Sequence, residues 1–185
     1  MLVNINMETL LGNKSDFAIQ AMTEPELKPP SAVWGRMCLW VQNTKLGDYN
    51  NAHCGLSQCV HHLNEVVELI DQLWDDKFTN KSNKEIFNLL KKAWHEPGFD
   101  DFGVPNGYEQ YHKYNISYGF AEMFDSEGMF FLLNMPNVSL KLLYQPKGAS
   151  EIFDFIINKE SFISTINKFN SWYVQQENML AGKND

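Results

Sequence analysis

The side chains best suited to metal binding lie close together in the chain, at His53, Cys54, Cys59, His61 and His62. Thiolate and imidazole groups are the ligands that zinc prefers in proteins. Their spacing does not match a zinc site, because the segment contains no CxxC pair and no two histidines four residues apart around a glutamate. We therefore expect a buried Cys59, histidines at the surface, and neither a metal nor another cofactor.

Two pairs of adjacent carboxylates, Asp75-Asp76 and Asp100-Asp101, are the candidates for general acid–base chemistry. Neighbouring side chains do not face a common point, so neither pair indicates catalytic residues. The sequence also contains no GxSxG, P-loop, GxGxxG or HExxH motif. One enzymatic alternative stays open, a small hydrolase that uses Asp100, Asp101 or His95 in the acidic and histidine-bearing region 95–127.

Negative charge is concentrated in two segments of a chain whose formal net charge is −8. Residues 65–76 contain five acids and no base, and residues 96–127 contain seven acids against Lys113 alone. An acidic surface repels nucleic acid, whose phosphates need cationic partners. It accelerates association with a basic protein. A single carboxylate of this set is most simply a solvated surface group, but the concentration of the whole excess predicts a basic protein partner.

The segment Glu96–Gly107 contains two prolines and three glycines, which predicts a long loop. Long loops in compact domains often carry function. Aromatic residues flank the acids of this loop, and acids beside aromatics are typical of protein-binding patches. The candidate binding residues are Asp75, Asp76, Phe99, Asp100, Asp101, Phe102, Tyr108, Glu122, Asp125 and Glu127.

Apolar periodicity indicates both helices and strands. Helices are predicted at 54–74, 83–94 and 159–176. Strands are predicted at 16–23, 33–42, 129–135, 138–144 and 152–157, with a further strand or strand pair at 111–124. This order predicts an α+β single domain spanning residues 1–185, mostly antiparallel sheet with about three packed helices.

The strand at 33–42 contains two tryptophans on one face, Trp34 and Trp40, because side chains alternate along a strand. We expect both to lie in the core. Arg36 lies between them, so we expect it to be partly buried with a carboxylate partner, for which Asp48 is one candidate.

No stretch of the sequence approaches the roughly 20 apolar residues that a membrane-spanning helix needs. The first twelve residues contain neither a basic segment nor a long apolar run. The odd number of cysteines, three, suggests free thiols and a reducing compartment. We therefore expect a cytoplasmic protein with no membrane association and no nucleic-acid partner.

The segment WGRMCLWV at 34–41, followed by Leu-Gly-Asp at 46–48 and a long amphipathic helix, resembles the immunity protein 42 family of bacterial polymorphic-toxin immunity proteins. The resemblance is firmest over residues 33–74. It implies structural roles for Trp34, Trp40 and Gly47, with Gly47 needed for its backbone geometry.

The resemblance also implies a partner and a mode of action. The partner is the cognate toxin C-terminal domain of a contact-dependent growth inhibition system, and the chain inhibits it by binding rather than by catalysis. Such toxins are often nucleases, which tend to be basic, in agreement with the acidic segments. A secretion chaperone or adaptor is a third interpretation, and it requires an exposed apolar groove or an obligate dimer.

Overall fold

The computed structural model describes residues 8–24, 33–51, 53–95, 111–120, 122–124, 126–136 and 139–181. These residues form three α-helices and eight strands that pair antiparallel, which confirms the predicted α+β class. The strands are β1 (Glu8–Gly12), β2 (Phe17–Thr23), β3 (Trp34–Val41), β4 (Thr44–Leu46), β5 (Cys54–Gly55), β6 (Gly128–Asn134), β7 (Ser139–Pro146) and β8 (Phe153–Asn158). The helices are α1 (Leu56–Leu69), α2 (Asn83–His95) and α3 (Lys159–Ala181).

The first sheet has the order β1-β2-β3-β4, and β5 pairs with the beginning of β3. A two-residue turn joins β3 to β4, and its residues Gln42 and Asn43 have φ values of 47° and 65°. Two consecutive positive φ angles suit the right-handed twist of a tight hairpin. Sequence periodicity identified β2 and β3 but not the shorter β1, β4 and β5.

Helices α1 and α3 pack on one face of this sheet, which presents Phe17, Met37 and Leu39 from β2 and β3. The ring centroid of Phe17 lies 4.6 Å from that of Phe162 in α3. Gly35 permits this packing, because a Cβ at that position would lie 2.1 Å from the carbonyl oxygen of Met22 and 3.0 Å from the Leu56 side chain.

Both tryptophans of β3 point to the opposite face of the sheet, where they are half-buried. The prediction that Trp34 and Trp40 belong to the core is therefore wrong. Helices α1 and α3 instead cover the other face of β3, which carries Met37 and Leu39. Trp40 donates its indole N–H to Gln20 Oε1 at 2.7 Å, and Lys14 Nζ lies 3.7 Å from the centroid of its ring.

Helix α1 starts two residues later than predicted, because Cys54 and Gly55 pair with β3. The helix then continues into a 3₁₀ turn at Ile70–Gln72. Helix α2 begins with a capping box, for which Ser82 and Glu85 have the required three-residue spacing. Ser82 donates its backbone N–H to Glu85 Oε2 at 2.7 Å, and Glu85 donates its own to Ser82 Oγ at 3.3 Å.

The second sheet has the order β6-β7-β8, and α2 packs against it. The rings of Phe87 in α2 and Phe131 in β6 meet edge to face at 5.0 Å. Hydrogen bonds link this sheet to the first part of the chain. Gln42 Nε2, in the turn between β3 and β4, donates to Ile156 O at 2.9 Å, and Asn134 N donates at 2.7 Å to Leu73 O, which follows α1.

The segment 111–124 is not a strand, so that prediction is wrong. It contains 3₁₀ turns at His112–Tyr114 and Glu122–Phe124, and it meets the second sheet through a single bridge between Asn115 and Phe131. Aromatic side chains such as Tyr114 and Phe120 are buried from this irregular backbone. The apolar residues that suggested a strand here are therefore buried without strand pairing.

Candidate functional site

Ten residues are candidates for binding a protein partner, and six of them lie outside the described residues: Phe99, Asp100, Asp101, Phe102, Tyr108 and Asp125. Only the backbone of Glu122 is described, within a 3₁₀ turn. The side chain of His95, which belongs to the enzymatic alternative, also lies outside the described part. The surroundings of Asp75, Asp76 and Glu127 are described.

Asp75 has a structural role at the end of the α1 region. Its carboxylate accepts a hydrogen bond from Lys77 N at 2.9 Å and so caps the 3₁₀ turn Asp76–Phe78. It also accepts the Tyr111 hydroxyl at 3.2 Å. Burial and the nearby Asp75 charge both raise the pKa of Tyr111. Asp76 is exposed, so it is the more accessible carboxylate of the pair.

Glu127 lies at the opposite end of β6 from these two residues. Its carbonyl accepts hydrogen bonds from Lys147 N and from the Tyr144 hydroxyl, each at 3.0 Å. Strand β6 separates it from Asn134, which is hydrogen-bonded to Leu73 near Asp75. At about 3.3 Å per residue, the seven steps from Glu127 to Asn134 span roughly 23 Å, so Glu127 and Asn134 lie at opposite ends of the strand.

Five acids form what we call the acidic ridge, namely Glu65, Glu68, Asp71, Asp75 and Asp76. The ridge runs along the outward face of α1 and the turns that follow it, and every member except the half-buried Asp75 is exposed. His61 Nε2 lies 3.3 Å from Glu65 Oε1, and Lys159 of α3 is paired with Asp71. The acids that are concentrated in sequence are therefore also concentrated in space.

A cavity of about 450 Å³ opens beside this ridge. Helix α1 contributes Glu65 and Glu68 to one wall, and Trp94, at the end of α2, contributes to another. Residues 112–119 complete the lining, among them Tyr118. The rings of Trp94 and Tyr118 meet at 4.8 Å and 61°, and Tyr118 remains 72% exposed.

One side of the cavity is built on a close contact between α1 and residues 116–120. His62 donates its Nε2–H to the Ile116 carbonyl at 2.9 Å, and its ring meets Phe120 edge to face at 5.0 Å. Burial lowers the pKa of His62, which keeps the ring neutral. Gly119 permits this contact, because a Cβ there would lie 2.0 Å from the imidazole ring.

Only the α1 wall of this cavity could be predicted from the sequence. Helical periodicity within 54–74 places His61 and Glu65 on the same outward face of α1, and both side chains are exposed. Tyr118 had no signal, because its segment was predicted to be a strand. The pairing of Tyr118 with Trp94 depends on the fold.

A buried ionic network lies at the end of β2. The Glu24 side chain is 3% exposed and pairs with Arg36 Nε at 2.6 Å and with His53 Nδ1 at 2.5 Å. The prediction of a carboxylate partner for Arg36 is confirmed, but the suggestion of Asp48 is wrong. Asp48 instead accepts the backbone N–H groups of residues 50 and 51 at 3.2 and 3.1 Å.

The cysteines are free and buried. The sulfurs of Cys54 and Cys59 lie 3.7 Å apart, and Cys54 contacts the Met123 sulfur at the same distance. Burial raises the pKa of Cys38 to about 11, although Lys45 and Lys14 partly offset it. Among the described residues no group of three or more His, Cys, Asp or Glu side chains is arranged to hold a metal ion.

A protein-family model matches most of the chain. The model of the family described as immunity protein 42 matches residues 5–172. The chain belongs to the immunity protein 42 family. This confirms the resemblance seen in the sequence and extends it from residues 33–74 to most of the chain.

One solved structure shares the fold of this immunity protein 42 member. It is CdiI from Burkholderia dolosa, which is 17% identical in sequence and superimposes with a TM-score of 0.64. The match covers 88% of this chain and 99% of that chain. No curated protein matches the chain significantly.

The glycine of the sequence motif in this family member adopts a left-handed backbone conformation. Gly47 of the Leu-Gly-Asp segment has a φ of 107°, which confirms the expected need for glycine. No helix in the described ranges is long and apolar enough to cross a membrane.

Proposed function

We propose that this protein is the immunity partner of a toxin domain, which it binds and neutralises in the manner of contact-dependent growth inhibition systems. The observation that carries the proposal is the family match over residues 5–172. The fold likeness to CdiI supports it. The proposed place of action is the cytoplasm, with which three free cysteines are compatible.

The proposed toxin is a basic domain, most simply a nuclease. The acidic ridge supports this choice, because its exposed carboxylates complement a cationic surface. A nuclease must hold phosphate in its active-site cleft, and carboxylates of the immunity protein can take the place of those phosphates. Inhibition then results from covering the cleft.

The proposed interface comprises the region 96–127 with Asp75 and Asp76 beside it. The described residues that flank 96–110 support this placement. Trp94 lines the cavity next to the ridge, and the Tyr111 hydroxyl contacts Asp75. Within the region we propose Asp100 and Asp101 as charged contacts, and the aromatic residues Phe99, Phe102 and Tyr108 as anchors. Glu122, Asp125 and Glu127 complete the proposed set.

The test is protection of cells that express the toxin domain encoded beside this gene. Joint Asp100→Lys and Asp101→Lys exchange should abolish protection, because opposed like charges disfavour binding. The matched control is Glu151→Lys with Asp154→Lys, two exposed acids, the first just before β8 and the second within it. The control should protect like the unmodified protein. Full protection by the folded Asp100/Asp101 variant, and by a second variant with Asp125→Lys and Glu127→Lys, would place the interface elsewhere.

We further propose that the protein is not an enzyme. The purified chain should cleave neither nucleic acid nor glycosides nor esters. A turnover that disappears in Asp100→Ala or His95→Ala would favour the hydrolase alternative instead. Binding without turnover, together with an association rate that slows as salt rises, would support inhibition by an acidic surface.

A further inference from the structure

We propose that the cavity between α1 and residues 112–119 receives an arginine side chain of the toxin domain. The inference rests on the proposed function, since it identifies a contact within the toxin–immunity complex. Only described lining residues support it, and neither Asp100 nor Asp101 is among them.

The cavity has the size of a binding site. Its volume of about 450 Å³ lies within the range of roughly 300–1,000 Å³ that is typical of small-ligand pockets. It opens to the surface beside Tyr118, which is 72% exposed. The fold also maintains it, because the His62 contact with Ile116 and Gly119 holds α1 against residues 116–120.

The charge of its lining selects a cation. Glu65 and Glu68 are three residues apart on α1, so both carboxylates lie on the same face of the helix and line the cavity. Lys113 also lines it, and its Nζ lies 5.4 Å from the centroid of the Tyr114 ring. His62 is neutral and adds no positive charge. His61 and His112 also line the cavity, and His61 Nε2 lies 3.3 Å from Glu65 Oε1. Among the described lining residues, two carboxylates against one ammonium group favour a positively charged occupant, which would compete with His61 for Glu65.

The aromatic walls favour guanidinium over ammonium. Trp94 and Tyr118 meet at 4.8 Å and 61°, so their rings form an aromatic corner in the lining of the cavity that also contains Glu65 and Glu68. A planar guanidinium stacks on aromatic faces and donates two parallel hydrogen bonds to a carboxylate. An ammonium group is more strongly hydrated and lacks that planar geometry. Aromatic residues together with arginine are also the side chains most enriched at the energetic centres of protein interfaces.

The first experiment uses small probes and needs no toxin. Acetyl-arginine methylamide is titrated into the protein, and NMR records the Trp94 indole N–H and the Gly119 amide. Acetyl-citrulline methylamide is the matched probe, since it has nearly the same shape without the charge. We expect saturable shifts with the arginine probe and at least about tenfold weaker binding of the citrulline probe, equivalent to 1.4 kcal/mol.

Variants locate the binding. Glu65→Gln with Glu68→Gln, and separately Tyr118→Ala, should each weaken arginine-probe binding by about tenfold or more, because each removes a charged or aromatic wall. Asp154→Asn and Phe153→Ala are the controls, an acid and an aromatic at the surface of β8. They should leave probe binding unchanged. The inference is overturned if the arginine probe causes no saturable shifts, or if citrulline binds equally well.

The second experiment separates this inference from the proposed function. The same variants are tested for protection of cells that express the adjacent toxin domain. Loss of protection in the Tyr118→Ala and Glu65/Glu68 variants, with protection retained in the controls, supports the arginine contact. Full protection by every variant overturns that contact but leaves the immunity function intact. A failure of the unmodified protein to protect contradicts the proposed function itself, whatever the probes show.

Discussion

Replacing Gly119 by alanine should destabilise the protein through a single contact, the one with His62. The new Cβ would lie 2.0 Å from Nδ1 and 2.1 Å from Cγ of the ring, so the ring must move. Moving it breaks the 2.9 Å hydrogen bond to the Ile116 carbonyl, which is worth about 1 kcal/mol. It also disturbs the edge-to-face contact with Phe120, worth about another 1 kcal/mol.

The expected loss in the free energy of unfolding is therefore about 2–3 kcal/mol, within the range for overpacked sites. Urea denaturation measures it for Gly119→Ala, His62→Ala and the double variant. In the His62→Ala background the obstructing ring is gone, so Gly119→Ala should cost nothing or add a few tenths of a kcal/mol of stability. The expected coupling between the two changes is about 2 kcal/mol, well above ordinary non-additivity of roughly 0.5 kcal/mol.

The reasoning is refuted if Gly119→Ala costs the same with and without the His62 ring. Such additivity would mean that the glycine is required for some reason other than this contact. The slope of the denaturation curve should not change, because the amount of surface exposed on unfolding stays the same.

Three further predictions follow from single contacts. Burial lowers the pKa of His62, so its stabilising contribution is complete above about pH 6.5 and declines as the pH falls through its lower folded-state pKa. His62→Gln should therefore reduce the loss of stability between pH 7 and 5 that urea denaturation measures, and an unchanged loss would contradict this reasoning. Arg36→Met should lower the free energy of unfolding by about 2–4 kcal/mol, because Glu24 would remain buried without its main partner. Adding Glu24→Gln should recover part of that loss, and an equal or larger loss in the double variant would contradict the pairing. Burial raises the pKa of the Cys38 thiol to about 11, and a hydrogen bond with Cys59, together with burial, raises the pKa of the Cys54 thiol. A thiol reagent at pH 8 should therefore modify the native protein far more slowly than the urea-unfolded chain.

Features that depend on neighbouring residues could be predicted from the sequence. The capping box of α2 needs only Ser82 and Glu85, three residues apart, and both of its hydrogen bonds are present. The outward face of α1, with Glu65 and Glu68, follows from helical periodicity alone. The turn at Gly47 follows from the freedom of glycine to adopt a positive φ. The family resemblance was local too, since it rested on residues 33–74.

Features that depend on which surfaces meet needed the tertiary structure. Alternation in β3 showed that Trp34 and Trp40 share a face, but large apolar residues occur on both faces, and only the packing of α1 and α3 decided which one is the core. The partner of Arg36 was misassigned for a similar reason. Glu24 and Asp48 lie equally far from Arg36 in the sequence, on either side of it, and the antiparallel pairing of β2 with β3 brings Glu24 to the arginine.

The segment 111–124 shows the physical limit most clearly. Its aromatic residues signal burial, and burial is satisfied equally well by a strand or by irregular backbone that inserts rings into a core. The choice depends on whether a neighbouring strand offers free hydrogen-bonding groups, and here the segment shares only one bridge with β6. The cavity beside the acidic ridge exists because this segment folds irregularly against α1. The sequence by itself therefore determined the charge and one wall of the candidate site, and long-range packing decided its shape.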